Sequence, residues 1–195
     1  MIKNFYIIRH GETDFNKIGR VQGRLDIPLN DIGMDQASEL RNKIKNINID
    51  IIFSSDLKRA ISTAKIINQV FNKEIILTSL LKEVDFGDAE GKDRYEVRNI
   101  YKDLLNQIDD DKNENRHDIS IPNGETRRQV KQRIDKFLFE SDFKEFKNIL
   151  LSSHGALMNT LTLFYSDKEI KFKNCDCLRF KLDTKNKRLF DFELL

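Results

Sequence analysis

Residues 5–11 read Phe5-Tyr6-Ile7-Ile8-Arg9-His10-Gly11, and residues 149–155 read Ile149-Leu150-Leu151-Ser152-Ser153-His154-Gly155. Each is a short apolar run that closes on a His-Gly pair. A run this short and this continuous does not fit a half-exposed helix, and predicts a strand buried on both faces. Ile51 to Phe53 and Ile75 to Leu77 read the same way. Between these runs apolar residues recur every three or four positions: Ala37, Leu40, Ile44 and Ile47; then Ile61, Ala64, Ile67 and Phe71; then Val130, Ile134 and Phe137 or Leu138. Each set is one apolar face of a helix. Asp56 and Ser153 stand where helix starts are expected, and Asn123-Gly124 marks a turn before a helix from about Thr126. The alternation predicts an α/β fold of three layers, a mostly parallel sheet with helices on both faces.

The 195 residues suit a single domain spanning 1–195, since domains run to about 150 residues. One stretch breaks the rhythm. Residues 92–121 carry an amphipathic segment (Val97, Ile100, Tyr101, Leu104, Leu105, Ile108) and then a polar run, and read as a small helical insertion beside the site. The triplet Asp109-Asp110-Asp111 lacks the alternating ligands and glycine of a calcium loop and reads as a solvated turn. At the other end, Leu178 to Leu182 and Leu189 to Leu194 read as a closing hairpin.

Lys plus Arg number 34 against 32 Asp plus Glu, a net charge of +2. That balance argues against a nucleic-acid or membrane-surface partner, so any anion affinity must be local. With only 8 Gly and 2 Pro, the chain fits neither a disordered region nor a turn-rich β-sandwich. The first nine residues offer no secretory signal, no stretch approaches a membrane span, and Cys175 and Cys177 have no partners at zinc spacing. The expectations are a cytoplasmic protein with two structural thiols, no metal and no cofactor.

Three histidines are present, and only His10 and His154 share a setting, directly after a predicted strand and before a glycine. In open parallel sheets ligands bind beyond the carboxyl ends of the strands, so residues far apart in sequence converge there. The same rule gathers Arg59, one turn into the helix after the second strand, and Glu83, just past the third. Arg9 and Arg59 offer planar forks matched to phosphate oxygens, and a glycine beside each histidine permits close approach to an anion. A helix beginning near His154 would add its positive end. An imidazole among arginines stays neutral at neutral pH, because nearby positive charge lowers its pKa, and is then a nucleophile. His10 takes that role. Glu83 is the candidate acid for the departing alkoxide, a contribution of about 10²–10⁴-fold. Taken singly, each residue reads more often as a packing or surface residue; it is their joint placement after successive strands that points to phosphoryl chemistry.

The motifs resemble the histidine phosphatase superfamily, the phosphoglycerate-mutase-like proteins. They are Arg9-His10-Gly11-Glu12-Thr13 with Asn16; Gln22-Gly23 and Asp26-x-Pro28-Leu29; and Ser54-Ser55-Asp56-Leu57-x-Arg59-Ala60-x-x-Thr63-Ala64. Leu81-x-Glu83-x-x-Phe86-Gly87 with Glu90-Gly91, Gly124-Glu125-Thr126 and Ser153-His154-Gly155 complete the series, in order along nearly the whole chain. The resemblance implies that His10 is phosphorylated and Glu83 donates the proton. It implies that Arg9, Asn16, Arg59 and His154 hold the phosphoryl group, with Gly155 beside it, while Gln22 and Gly23 line the mouth and Glu125 supports the pocket.

The acceptor decides between activities: water makes a phosphatase, a second hydroxyl a mutase. Arg20-x-Gln22-Gly23-x-x-Asp26-x-Pro28-Leu29 resembles the phosphatase branch. Phe86 stands where mutases tend to have tyrosine, Ala156 where they tend to have asparagine, and Ala89 where the family commonly has tryptophan. The expectation is a metal-independent phosphomonoesterase acting on a small phosphorylated metabolite such as a sugar phosphate or phosphoglycerate. The alternatives are a 2,3-bisphosphoglycerate-dependent phosphoglycerate mutase, an α-ribazole-phosphate phosphatase and a non-catalytic phospho-ligand binding module.

Overall fold

The computed structural model describes residues 1–166 and 170–195. Six strands form one sheet: β1 (Ile2–Arg9), β2 (Ile51–Ser55), β3 (Ile75–Thr78), β4 (Asn148–Ser153), β5 (Cys177–Asp183) and β6 (Arg188–Leu194), in the spatial order β3-β2-β4-β1-β5-β6. The first four in that order run parallel, and β5 and β6 close the sheet antiparallel, as the expected hairpin.

Side chains alternate across the sheet. Phe5, Ile7, Phe53, Ile149 and Leu151 face a core shared with α6 (Arg127–Glu140) and α7 (Gly155–Tyr165). Tyr6, Ile8, Ile52, Leu150 and Cys177 face the opposite core, shared with α2 (Asp31–Ile44) and α3 (Lys58–Asn68). The apolar runs are continuous because both faces are covered. β3 departs from this: as an outer strand it is only half-buried, with Leu77 exposed to 51%.

Helix starts also differ in detail from expectation. Leu57, not Asp56, precedes α3 and makes no side-chain cap, while Asp56 pairs with Lys82 Nζ at 3.2 Å. His154 occupies the position before α7, and Ser153 Oγ instead donates to Leu81 O at 2.9 Å. Thr126 does cap α6, in a reciprocal box with Gln129. The remaining helices are α1 (Asp14–Lys17), α4 (Arg94–Ile100) and α5 (Lys102–Asp109), the last two filling much of the 92–121 segment. That segment has its own small core, Val97 and Ile121 against Ala89, with Tyr101, Leu104 and Leu105 beside them. Asp109 and Asp111 lie on its surface, paired with Arg127 and Arg116. Both cysteines are free thiols. Among the described residues no helix is long and apolar enough to cross a membrane.

Candidate active site

Parallel pairing sets the geometry. Arg9 of β1 lies opposite Ser153 of β4, so the next residue of each chain is a histidine, and His10 N–H donates to Ser153 O at 3.0 Å. The two rings meet edge-on with centroids 5.2 Å apart. β2 leads through Ser55 to Arg59 on α3, and β3 leads through the 3₁₀ turn Ser79–Leu81 to Glu83. All four groups thus arrive from the carboxyl ends of four adjacent parallel strands. Arg9, His10, Asn16, Gln22, Gly23, Arg59, Glu83 and Gly155 line one cavity of about 350 Å³. His154 alone of the expected residues does not line it; it is fully buried.

His10 is held at both nitrogens. Nδ1 lies 2.6 Å from Gly11 O, which can only accept, so the proton sits there; Nε2 then carries the lone pair and accepts from Arg59 Nε at 3.2 Å. Arg59 Nη1 and Nη2 also donate, to Leu25 O and Gly23 O, both at 2.7 Å, and each keeps a second N–H. Burial first, and the Arg59 guanidinium second, push the His10 pKa well below its ordinary value near 6.5, against the raising effect of the Gly11 carbonyl. The expected direction holds, but desolvation rather than neighbouring charge is its main cause. His154 is lowered in the same way, by burial first and Arg59 next. Its Nε2 meets Ser55 Oγ at 2.8 Å, whereas its buried Nδ1 has no hydrogen-bond partner. Arg9 Nε is likewise buried without a partner, and Arg9 Nη1 donates to Phe172 O at 2.7 Å.

The start of α7 departs from the expected anion site. Ala156 N–H donates to Glu83 Oε2 at 3.2 Å and Leu157 N–H to Oε1 at 3.0 Å, so the first-turn amides hold the Glu83 carboxyl. The glycines serve packing. A Cβ at Gly11 would lie 2.3 Å from Gly33 O, and one at Gly155 would press on Arg9 Nε at 3.1 Å. Gly23 sits at φ +52, where a Cβ would strike Glu90. Asn16 Oδ1 accepts from Thr13 N at 3.2 Å, and Gln22 Oε1 from Thr13 Oγ1 at 2.9 Å, which leaves each side chain's amide nitrogen for the cavity. Glu125 makes an ion pair with Arg133, which also donates to Leu80 O and Glu83 O, fixing the turn that carries Glu83.

Asn174 is a contributor that the sequence did not single out. Its Nδ2 donates to His10 O at 3.0 Å and reaches Asn16 Oδ1 at 3.3 Å. It lies in the turn before β5, where an asparagine reads only as a turn residue. Among the described residues no group of three His, Cys, Asp or Glu side chains is placed to hold a metal ion.

Residues 5–189 match the model of the histidine phosphatase superfamily, branch 1. The chain belongs to that superfamily. It is 36% identical over 156 residues to PhoE of Bacillus subtilis, described as an uncharacterized phosphatase, covering 80% of this chain and 73% of that one. It is 31% identical over 185 residues to Escherichia coli GpmB, named a probable phosphoglycerate mutase, covering 89% of this chain and 82% of the other. In structure it resembles the phosphoserine phosphatase of Entamoeba histolytica, solved in complex with 3-phosphoglyceric acid, with a TM-score of 0.77, 28% identity and coverage of 98% and 96%. The superfamily and these relatives support an enzyme of the phosphatase or phosphoglycerate mutase type acting on a small phosphorylated substrate.

Proposed function

We propose that the protein is a metal-independent phosphomonoesterase that works through a phosphohistidine at His10. Nε2 attacks phosphorus, the ester P–O bond breaks, and Glu83 gives its proton to the departing alkoxide. Water then attacks the phosphoryl group, returns a proton to Glu83, and inorganic phosphate leaves as the His10 nitrogen is freed. Arg9, Arg59, Asn16 and His154 hold the equatorial oxygens, with Gly155 beside them and Gln22 and Gly23 at the mouth.

The observation that carries this reading is an imidazole whose Nε2 lone pair accepts from Arg59 at the wall of a cavity also lined by Arg9, with two buried nitrogens beside it, Arg9 Nε and His154 Nδ1, left without partners. Buried polar atoms are rarely left unpaired, and phosphoryl oxygens supply the acceptors. Hydrolysis is favoured over mutase transfer because Phe86 and Ala156 line the cavity. Neither offers a side-chain polar group to orient a second hydroxyl. The experiment is turnover of phenyl phosphate and 3-phosphoglycerate in excess EDTA, with acid-quench trapping of an acid-labile phosphoryl label. Release of phosphate, with the label lost in His10→Ala, is expected. No turnover would overturn the proposal, and interconversion of 2- and 3-phosphoglycerate in place of hydrolysis would establish the mutase.

A further inference from the structure

Ser55 is the last residue of β2 and is fully buried. Its Oγ accepts from Leu57 N–H at 3.3 Å, in the turn that leads into α3, and lies 2.8 Å from His154 Nε2. It has no other hydrogen-bond partner among the described residues. A hydroxyl brings one hydrogen and two lone pairs. With Leu57 N–H on one lone pair, the contact with His154 has two readings. If Nε2 carried a proton, Oγ would accept a second time and its own hydrogen would be buried with no acceptor, an arrangement folded proteins avoid. If Ser55 donates to a bare Nε2, the hydroxyl is satisfied in full. His154 Nδ1 is unpartnered in either case, so the Ser55 hydrogen decides.

The ring carries a single proton, because burial and then Arg59 hold its pKa well below the ordinary value. A bare Nε2 therefore leaves that proton on Nδ1. We infer that Ser55 is a positioning residue: its hydroxyl holds His154 in the Nδ1–H tautomer, so that Nδ1 presents a hydrogen, not a lone pair, to the phosphoryl group. The tautomer stands on the hydrogen bonds alone; its use in catalysis rests on the phosphatase reading above. The two histidines then share one tautomer and differ in which end is spent. His10 spends its Nδ1 proton on Gly11 O and keeps Nε2 for attack, whereas His154 spends its Nε2 lone pair on Ser55 and keeps its proton. In the opposite tautomer His154 would turn a lone pair on the phosphoryl oxygens and repel them.

Long-range ¹H–¹⁵N NMR of the histidine ring nitrogens, with His154 assigned by its absence in His154→Asn, reads the tautomer directly. Nδ1 is expected at the shift of a protonated ring nitrogen and Nε2 at that of a bare one. Saturating inorganic phosphate should then move the Nδ1–H proton downfield. In Ser55→Ala the ring is released to sample both tautomers, so the two nitrogen shifts should approach each other. Turnover of phenyl phosphate should fall by the fraction of rings in the wrong form, about three- to tenfold. A protonated Nε2 in the wild-type protein, an Nδ1–H proton indifferent to phosphate, or ring shifts unchanged in Ser55→Ala would each overturn the inference, whether or not phosphate esters are hydrolysed. If Ser55→Ala does not fold, the wild-type shifts decide alone. Expected shifts in a protein that hydrolyses no phosphate ester would instead remove the phosphatase reading and leave the tautomer assigned.

Discussion

The loops Arg9-His10-Gly11 and Ser153-His154-Gly155 are near-copies in sequence, end neighbouring parallel strands, and put their rings in contact, yet they are built for different tasks. His10 has both nitrogens engaged from within the site, with its proton pinned by the carbonyl of the next residue and its lone pair directed at Arg59. His154 is anchored from outside through Ser55, leaves Nδ1 unpartnered, and stands at the start of a helix. The difference lies in what each ring nitrogen faces, which the tripeptide does not encode. Burial pushes both pKa values well down; the unequal partners are why we propose the nucleophile's role for one ring and a donor's for the other.

Replacing the two residues in turn tests this contrast most severely. His10→Ala should lower kcat/KM by on the order of 10⁴-fold or more, with no phosphoenzyme on acid quench. His154→Asn keeps a neutral donor side chain near the site, and should cost about 10²–10³-fold while the phosphoenzyme still forms. Single-turnover labelling separates the outcomes. A His154 variant that loses the label entirely, or a His10 variant that keeps it, would reverse the assignment.

Where the two loops agree is in proton uptake. Both imidazoles have folded-state pKa values held well below 6.5, chiefly by burial. Above pH 6.5 they are neutral in folded and unfolded chains alike, and the stability they contribute is complete. As pH falls below 6.5 the unfolded chain binds protons that the folded one refuses, so each histidine costs about 1.4 kcal/mol per pH unit. The loss continues until the folded rings protonate. His117, lowered for the same first reason, adds in the same direction. Urea unfolding between pH 7.5 and 5.5 should show this decline, with a shallower slope in His154→Asn. Equal slopes would mean that His154 is not neutral in the folded protein. The same depressed values predict that kcat/KM has no inflection near pH 6.5 from the enzyme's histidines.

The convergence of His10, His154, Arg59 and Glu83 was legible because strand ends in a parallel sheet meet at one edge, and the apolar runs mark those ends. The partners of each group were not. Asn174 reaches His10 O through a turn whose only sequence signal is turn chemistry, and Ser55 and Thr63 become partners of the histidine loops only once β2 and α3 are docked. The Glu83 carboxyl bound by the first amides of α7 was equally hidden, since helix start and acid are more than 70 residues apart. Helix starts slipped by one residue, at Leu57 and His154, because tertiary hydrogen bonds took up the side chains expected to cap. For β3, periodicity identified the strand but carried no information on whether a neighbour covers its outer side.

The two glycines offer the finest test, because adding one methyl group to each should separate folding from chemistry. At Gly11 the new Cβ would meet Gly33 O at 2.3 Å, backbone against backbone, with Gly33 itself packed on Glu12. Neither chain can move without shifting the start of α2, so Gly11→Ala should cost about 1–3 kcal/mol, visible in urea unfolding. At Gly155 the nearest atoms are Arg9 Nε at 3.1 Å and Cδ at 3.3 Å, which belong to a side chain. The position is the first residue of α7, where alanine is a better helix former than glycine. Gly155→Ala should therefore change stability by less than about 1 kcal/mol. It should also displace a guanidinium whose Nε is proposed to bind a phosphoryl oxygen, so KM should rise while the fold stays put. If Gly11→Ala folds as well as wild type and Gly155→Ala does not, the glycines have been assigned the wrong neighbours. If Gly155→Ala leaves KM unchanged, Arg9 Nε is not a phosphate donor.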